Sequence, residues 1–429
     1  MTTTPHNRST STQDVETELQ AGQVPGPEPG PARPAVRFEG PPRPAWIELD
    51  LAQLRRNLRS IREALPPEVT WLSVVKANAY GHGMLTMARE TLAGGAKCLG
   101  VATLGEGMGL RQAGITAPIL LMGDRHPDEL PCCLEYRLDT CIGDLDLARR
   151  LDDLARMAQQ VAPVHLKLNT GMNRFGVPWQ SAAAAAAALT RLPGLRLVGV
   201  MSHFAMSDEP DKTFALEQLR RFEAALQAIA GLRIPAGIRH LCNTGGFLDL
   251  PSAHFDRVRL GILPTGVYPS ASCRRLPGLA PVMSLKARFT AVRELEPDDI
   301  YGYGLRYRAP ARQRIGVLPL GYGDGYPRLR NQGAVLVHGR RAPIIGGVAM
   351  DAIGVNLTHL PQARLWDEAV LMGRQGADEI SAREIAEWGG TVCYDILAGW
   401  RARLPRVHLD LETAAAVPQP PAGEPGERP

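Results

Sequence analysis

The sequence predicts an α/β protein in which a (β/α)8 TIM-like barrel is followed by a mostly β domain. Eight short apolar runs between residues 71 and 262 alternate with amphipathic helical stretches, which is the pattern of a barrel. After about Pro281 strand-like runs continue while long helical patterns nearly disappear, which indicates a second, β-rich domain. A doubly wound open sheet is the alternative, although no GxGxxG motif follows an early strand.

Composition divides the chain of 429 residues into four segments. Residues 1–42 and 414–429 are polar and proline-rich, so we expect disordered tails without a catalytic part. Between them we expect the barrel over residues 43–280 and the β domain over residues 281–413. Two folded domains are the natural expectation for a chain of this length.

The predicted elements follow in chain order. A first helix fits residues 51–65, where leucine and isoleucine recur on one face. The eight barrel strands are predicted at residues 71–76, 98–103, 118–122, 139–142, 164–169, 195–202, 238–242 and 257–262. The clearest helices between them are predicted at residues 180–192 and 214–232. In the second domain strands are predicted at residues 285–292, 315–320, 333–337 and 369–372, and a helix at 381–388.

Composition also excludes several classes of protein. The net charge is +4 and basic residues are scattered, so we expect no nucleic-acid partner. No apolar run approaches the roughly 20 residues of a membrane span, so we expect no membrane association. The seven cysteines are irregularly spaced without a metal-ligand pattern, which predicts no metal site and a reducing, cytoplasmic location. The N-terminal segment does not show a charged start followed by an apolar run, so we expect no secretory signal.

The segment VVKANAYGHG, residues 74–83, carries the most chemical information. Lys76 falls at the carboxyl end of the first barrel strand, the rim where barrel active sites are built. Apolar neighbours disfavour the charged ammonium, and a neutral amine suits Schiff-base chemistry. From position alone, an ordinary surface lysine at a strand end is at least as good an interpretation.

With the whole decapeptide included, the sequence resembles the alanine racemase family, pyridoxal-phosphate enzymes built from a barrel and a β domain. The resemblance runs from about Pro44 to Leu411. It implies that Lys76 holds pyridoxal 5'-phosphate covalently and that Tyr80 contacts the cofactor phosphate.

The segment HLKLNTGMNRFG, residues 165–176, resembles the family's fifth-strand signature. The resemblance assigns Arg174 to the cofactor ring oxygen and the substrate carboxylate, which a planar guanidinium suits. Lys167 matches a lysine that is carbamylated in some members, and an ordinary salt-bridged lysine stays equally open. Asn169 stands where some members have Asp.

Two residues are matched to the cofactor ring. His203 matches a histidine that stacks on the pyridine ring, although a packing residue is the alternative for a lone histidine. Arg259 matches an arginine that bonds the pyridine nitrogen, and its permanent charge keeps that nitrogen unprotonated. Its alternative role is an ion pair with Asp256.

The phosphate end is matched by backbone and hydroxyl donors. Thr244 follows the seventh strand where relatives usually carry Ser, and either hydroxyl can donate to phosphate. Gly261 and Ile262 offer backbone N–H groups after the eighth strand, where barrel phosphate sites often lie. Tyr394 resembles the tyrosine near the phosphate.

The β domain supplies the remaining predicted site residues. Tyr303, in YGYGLRY, matches the second catalytic base, with Tyr301 as a competitor because the Tyr-Gly pair is duplicated. Tyr322 matches a tyrosine that lines the pocket. Met350 matches a methionine whose backbone N–H meets the substrate carboxylate, and Asp351 follows it in the same segment.

The resemblance implies an alanine racemase that interconverts L-alanine and D-alanine and supplies D-alanine for peptidoglycan. Lys76 and Tyr303 would serve opposite faces in a two-base mechanism, within a homodimer that has composite active sites.

A serine or broad-specificity amino-acid racemase is the alternative, because it shares nearly every motif. A decarboxylase lacks support since GGG and HxGS-like segments are absent. A single-barrel pyridoxal-phosphate carrier would not need Tyr303 or Met350, and a scaffold role has little support.

Overall fold

The computed structural model describes residues 38–39 and 43–409. The predicted tail 414–429 and most of the predicted tail 1–42 lie outside the described residues. Within the latter, Phe38–Glu39 forms a short strand that pairs antiparallel with the last strand of the chain, so the prediction of disorder was wrong for these two residues.

The strands and helices are numbered in chain order. The strands are β1 Phe38–Glu39, β2 Ala45–Asp50, β3 Thr70–Val74, β4 Cys98–Val101, β5 Ile119–Leu121, β6 Asp139–Ile142, β7 Ala162–Asn169, β8 Val177–Pro178, β9 Leu195–Met201, β10 Ile238–His240, β11 Arg257–Leu260, β12 Met283–Arg288, β13 Ala291–Leu295, β14 Gln313–Leu318, β15 Ala334–Val337, β16 Arg340–Ile345, β17 Ile353–Asn356, β18 Glu368–Gln375, β19 Asp378–Ile380 and β20 Arg406–Leu409. The helices are α1 Leu51–Ala64, α2 Lys76–Tyr80, α3 Met84–Ala93, α4 Leu104–Gln112, α5 Leu130–Glu135, α6 Leu145–Met157, α7 Ala182–Leu189, α8 Thr213–Gly231, α9 Thr244–Asp249, α10 Ala382–Gly389 and α11 Cys393–Gly399. Among the described residues, no helix has the length and apolar character needed to cross a bilayer.

Eight parallel strands form the predicted barrel, in the order β10-β9-β7-β6-β5-β4-β3-β11. Hydrogen bonds from Asp256 N to Arg239 O (3.1 Å) and from Arg259 N to Cys242 O (3.0 Å) join the two ends of this order and nearly close it. Helices lie between the strands and cover their outward faces, which carry most of the barrel's buried aliphatic side chains. The predicted fold class is therefore confirmed.

A second, mostly antiparallel sheet follows the barrel, in the order β1-β20-β2-β12-β18-β15-β16-β17-β14-β13. It contains β2, which precedes the barrel in the chain, pairs with β12 and runs parallel to β20. The predicted barrel segment 43–280 thus includes a strand of the other sheet, because pairing between residues more than 200 positions apart leaves no local signal. The predicted strand 285–292 is two strands, divided at the fully buried Phe289.

Candidate active site

Lys76 begins the turn that follows the first barrel strand, β3. Its side chain is half-buried, and burial lowers its pKa, with the Arg174 guanidinium lowering it further and the Glu106 carboxylate opposing both. Desolvation favours the neutral amine, which is the nucleophilic form. The lysine environment inferred from the sequence is therefore present.

The short element α2, which begins at Lys76, is a left-handed turn and not a regular right-handed helix. Residues 77–80 all have φ between 51° and 53°, the left-handed region that costs L-residues about 1–2 kcal/mol each. Glu106 supports this turn, because its carboxylate accepts from Ala77 N at 2.6 Å and from Ala102 N at 2.8 Å. The strained turn lowers the stability of the fold, and it places the side chains of Lys76 and Tyr80 at the rim.

Arg259 is held in the barrel interior by acceptors on two neighbouring strand ends. Its Nη2 donates to the carbonyls of Ser202 (2.7 Å) and Leu241 (2.9 Å) and lies 3.0 Å from His203 Nδ1. Its Nη1 donates to the His240 carbonyl at 2.9 Å and lies 3.2 Å from His240 Nδ1. Among the described residues, no acceptor meets the remaining N–H, on Nε.

The alternative of an ion pair between Arg259 and Asp256 is not realised. Asp256 instead pairs with Arg239, with an Nη2–Oδ1 distance of 2.7 Å. Arg259 is 3% exposed, and burial lowers its pKa to about 10, so it stays charged near neutral pH. It therefore brings a cation to the base of the site without a carboxylate in contact.

His203 lies at the end of β9 and is held by that cation. Burial first, and then the charge of Arg259, place its pKa well below the usual value. Since a guanidinium only donates, His203 Nδ1 must accept, and the proton of the neutral ring sits on Nε2. The ring thus presents an N–H donor on its other side.

Lys167 lies on β7 inside the barrel and is 6% exposed. Burial and the charge of Arg259 lower its pKa to about 7, while Cys141 and Asp124 act in the opposite direction. No ion pair involving Lys167 is present in the described part of the chain. The interpretation as an ordinary salt-bridged lysine is therefore not supported by the geometry.

Tyr80 and Tyr394 approach each other at the rim, with ring centroids 6.0 Å apart. A β-carbon at Gly261 would lie 2.3 Å from the Tyr80 hydroxyl, so only glycine permits this approach. Ile262 directly follows this glycine after β11, Thr244 begins helix α9 after β10, and both are buried. The residues predicted at the phosphate end thus follow the seventh and eighth barrel strands or pack against the left-handed turn.

The predicted β-domain residues form a separate group within one chain. Tyr303 is 84% exposed and Met350 is 52% exposed, and Tyr303 shares an open cleft with Tyr322. Asp351 is bonded to the guanidinium of Arg403. The structure of one chain does not bring this group to Lys76.

Tyr301 and Tyr303 differ in their surroundings. Tyr301 packs onto the sheet so closely that a β-carbon at Gly354 would lie 2.2 Å from its ring, and burial raises its pKa. Tyr303 lies at the open cleft that it shares with Tyr322, with most of its surface accessible. Of the two, Tyr303 is free to reach a neighbouring molecule.

The sequence interpretation overlooked three residues that the structure places next to the site: Glu106, His240 and His165. Glu106 opens helix α4 with Thr103 in a capping box, and that pattern alone does not show its bond to Ala77. The two histidines lie on buried strands, where a polar residue in an apolar run was the available signal. In the described residues, no group of three or more His, Cys, Asp or Glu side chains could hold a metal ion.

Comparisons with known proteins agree with this geometry. Residues 49–269 match the family model described as alanine racemase, N-terminal domain, and residues 282–408 match its C-terminal domain. An alanine racemase of Syntrophobacter fumaroxidans is 43% identical over 353 residues, which cover 82% of this chain and 94% of that protein. One from a Nostoc species is 39% identical, over 85% of this chain and 95% of that protein.

Solved structures are similar over the same extent. Alanine racemase from Bacillus anthracis, solved with bound L-Ala-P, superimposes with a TM-score of 0.82 at 32% identity, covering 87% of this chain and 96% of that one. Alanine racemase from Streptomyces coelicolor gives a TM-score of 0.79 at 36% identity, covering 85% and 98%. The similarity spans both domains.

Proposed function

The chain belongs to the alanine racemase family, and from that premise we propose that it interconverts L-alanine and D-alanine with pyridoxal 5'-phosphate as its cofactor. The observation that carries the proposal is the position of Arg259. It is a buried cation below the Lys76 rim whose Nε–H has no acceptor among the described residues. A heteroaromatic nitrogen is the acceptor that such a donor suits.

The residues around Lys76 fit this cofactor chemically. The lowered pKa of Lys76 favours the amine that condenses with an aldehyde. Two tyrosines, Thr244 and the backbone N–H groups of Gly261 and Ile262 would hold the phosphate. Pyridoxal phosphate, when bound, supplies the acidification of the substrate α-carbon. Arg259 limits how far the ring takes up electrons, which disfavours transamination.

Racemisation needs one proton acceptor on each face of the α-carbon. In this proposal Lys76 takes the proton of D-alanine and Tyr303 of the partner subunit takes that of L-alanine. Tyrosine has an ordinary pKa of about 10, so it needs help near neutral pH. His203 gives that help by donating from Nε2 to the tyrosine oxygen, while Arg259 fixes which ring nitrogen carries the proton.

The substrate carboxylate would be bound by Arg174 and by the backbone N–H of Met350 from the partner subunit. Arg174 is exposed at the rim, and its charge already acts on Lys76. Tyr303 and Met350 are exposed in one chain, as expected of residues that complete a site in a second copy. A homodimer with two composite sites is thus part of the proposal.

Supply of D-alanine for peptidoglycan in the cytoplasm belongs to the same proposal. The seven cysteines are free thiols, in keeping with a reducing compartment.

Chiral chromatography tests the function. Purified protein with pyridoxal phosphate is incubated with L-alanine and, separately, with L-serine. D-alanine should form well ahead of D-serine, whereas rapid D-serine would move the chain to a serine or broad-specificity racemase. A protein that binds the cofactor and forms neither product would refute the proposed activity.

A further inference from the structure

A column of polar side chains descends through the barrel below Arg259. His240 on β10 has its Nδ1 3.2 Å from Arg259 Nη1, and its Nε2 lies 2.9 Å from His165 Nδ1. The His165 Nε2 in turn lies 4.0 Å from Asp139 Oδ2 on β6. Both histidines are buried, at 0% and 2% exposed. Barrel interiors are usually filled by branched apolar side chains, so this column is costly unless its bonds are satisfied.

Arg259 fixes the direction of both hydrogen bonds in this column, the one to His240 and the one between His240 and His165. The guanidinium has no lone pair to offer, so His240 Nδ1 accepts and the His240 proton sits on Nε2. That N–H donates to His165 Nδ1, which places the His165 proton on Nε2, facing Asp139. Burial keeps the pKa of both rings below the ordinary value, so both are neutral at working pH. The donors all point from Arg259 toward Asp139.

The neighbouring strands are shaped around the column. A β-carbon at Gly199 on β9 would lie 2.4 Å from His165 Nδ1, so a larger residue there would push the ring off His240. The pairing of β7 with β9 also shifts register between Val164 and His165. Gly199 therefore leaves room for the His165 ring in the position from which Nδ1 reaches His240.

Asp139 ends the column at the lower rim, opposite the Lys76 site. It lines an open pocket together with Arg111 and Tyr136. Burial raises the pKa of the Asp139 carboxyl to about 6, while Arg111, Arg257 and Arg196 oppose the shift. The carboxylate is therefore charged near neutral pH, at the end toward which the donors point.

We propose that His165 and Asp139 are positioning residues of the active site, which act on Arg259 through His240. They hold His240 in the one tautomer that accepts from Arg259, and this keeps the guanidinium fixed with Nε–H directed at the cofactor position. The inference rests on the proposed function of the Lys76 site. Failure of this inference can be distinguished from failure of the proposed function, because the histidine tautomers can be measured without turnover.

The first test needs no variant. Holoenzyme labelled with 15N-histidine is examined by NMR, where the chemical shifts of the two ring nitrogens report the tautomer. His165 and His240 should both carry their proton on Nε2, with slow exchange of that proton in D2O. A proton on Nδ1 of either ring would overturn the column, whatever the enzyme's activity.

The second test compares variants of His165. His165→Leu removes the acceptor for His240, so Arg259 is less firmly held, and kcat should fall about tenfold, which corresponds to about 1.4 kcal/mol in the activation barrier. The KM for alanine should stay nearly unchanged, and the absorption band of bound cofactor should shift. His165→Asn offers an oxygen near the Nδ1 position and should restore most of kcat and the wild-type band.

Thr140→Val is the matched control. Thr140 is a buried polar residue adjacent to Asp139 on β6, and its hydroxyl bonds the Leu138 carbonyl and the Cys133 thiol, neither of which belongs to the column. This variant should reproduce any loss of stability without changing kcat or the cofactor band. If wild type racemises alanine and His165→Leu matches Thr140→Val in both readouts, the positioning role is refuted while the proposed function stands.

Discussion

The Glu106 carboxylate accepts a hydrogen bond of 2.6 Å from the backbone N–H of Ala77, the residue directly after Lys76. A side chain on helix α4 thereby ties down a turn built from four left-handed residues. Because that turn starts at Lys76, the aim of the lysine depends on a residue that the sequence motif does not contain.

Glu106→Gln should weaken this turn. The change removes the charge from three backbone hydrogen bonds, so we expect a loss of about 1–2 kcal/mol of stability. It also removes a charge that opposes the lowering of the Lys76 pKa. Urea unfolding measures the loss of stability. Cofactor retention after dialysis, which should fall, measures the effect on Lys76 and its turn. Glu90→Gln breaks an ion pair with Arg55 outside the rim and should leave cofactor retention intact, so equal retention in both variants would contradict this account.

Gly261→Ala should expel Tyr80 from its position. A β-carbon there would lie 2.3 Å from the tyrosine hydroxyl, which is too close for any contact. We expect cofactor affinity to fall about tenfold or more, corresponding to one lost phosphate hydrogen bond. Fluorescence titration of apoenzyme with pyridoxal phosphate measures it. Gly231→Ala adds the same methyl group in helix α8, where no atom lies within 4 Å, and should leave the affinity unchanged.

Lys167 should make stability depend on pH. Its pKa is about 7 in the folded protein and near its ordinary value of 10.5 in the unfolded chain. Between these values the unfolded chain binds more protons, so wild type should gain stability with rising pH, by at most about 1.4 kcal/mol per pH unit. Below pH 7 the burial cost is fully present.

Comparison with Lys167→Met isolates this effect. The free energy of unfolding of both proteins is measured in urea from pH 6 to pH 9, at one protein concentration and in CO2-free buffer that keeps the amine unmodified. At low pH Lys167→Met should be the more stable protein, because it lacks the buried ammonium. Its advantage in free energy of unfolding should shrink or reverse as pH rises. Parallel pH profiles would show that the Lys167 amine titrates normally.

Tyr303→Phe should lower racemisation of L-alanine by a factor of about 100 to 10,000, the usual contribution of a general acid–base group. Tyr301→Phe should cost only a few-fold, because Tyr301 packs on the sheet beside Gly354. Turnover of both variants is followed by chiral chromatography, with cofactor absorbance as a check of occupancy. The reverse order of effects would transfer the role to Tyr301.

The sequence was sufficient for the barrel, because each apolar strand is a local pattern and the eight predicted strands coincide with the observed ones to within a few residues. It was insufficient for β2, whose partners lie more than 200 residues away. The left-handed turn was also missed, since residues 77–80 include no glycine. The bond between His165 and His240 joins non-adjacent strands, and only the closed barrel brings them together.

Exchange of the α-proton in D2O tests the two-face assignment most directly. Tyr303→Phe is incubated with D-alanine and, separately, with L-alanine, and deuterium at the α-carbon is measured by mass spectrometry. Since Lys76 serves the D-alanine face, D-alanine should still gain deuterium without forming L-alanine, while L-alanine should remain protonated. Rapid deuterium uptake by L-alanine, or its absence from both enantiomers while cofactor stays bound, would contradict the assignment of Lys76 and Tyr303 to opposite faces.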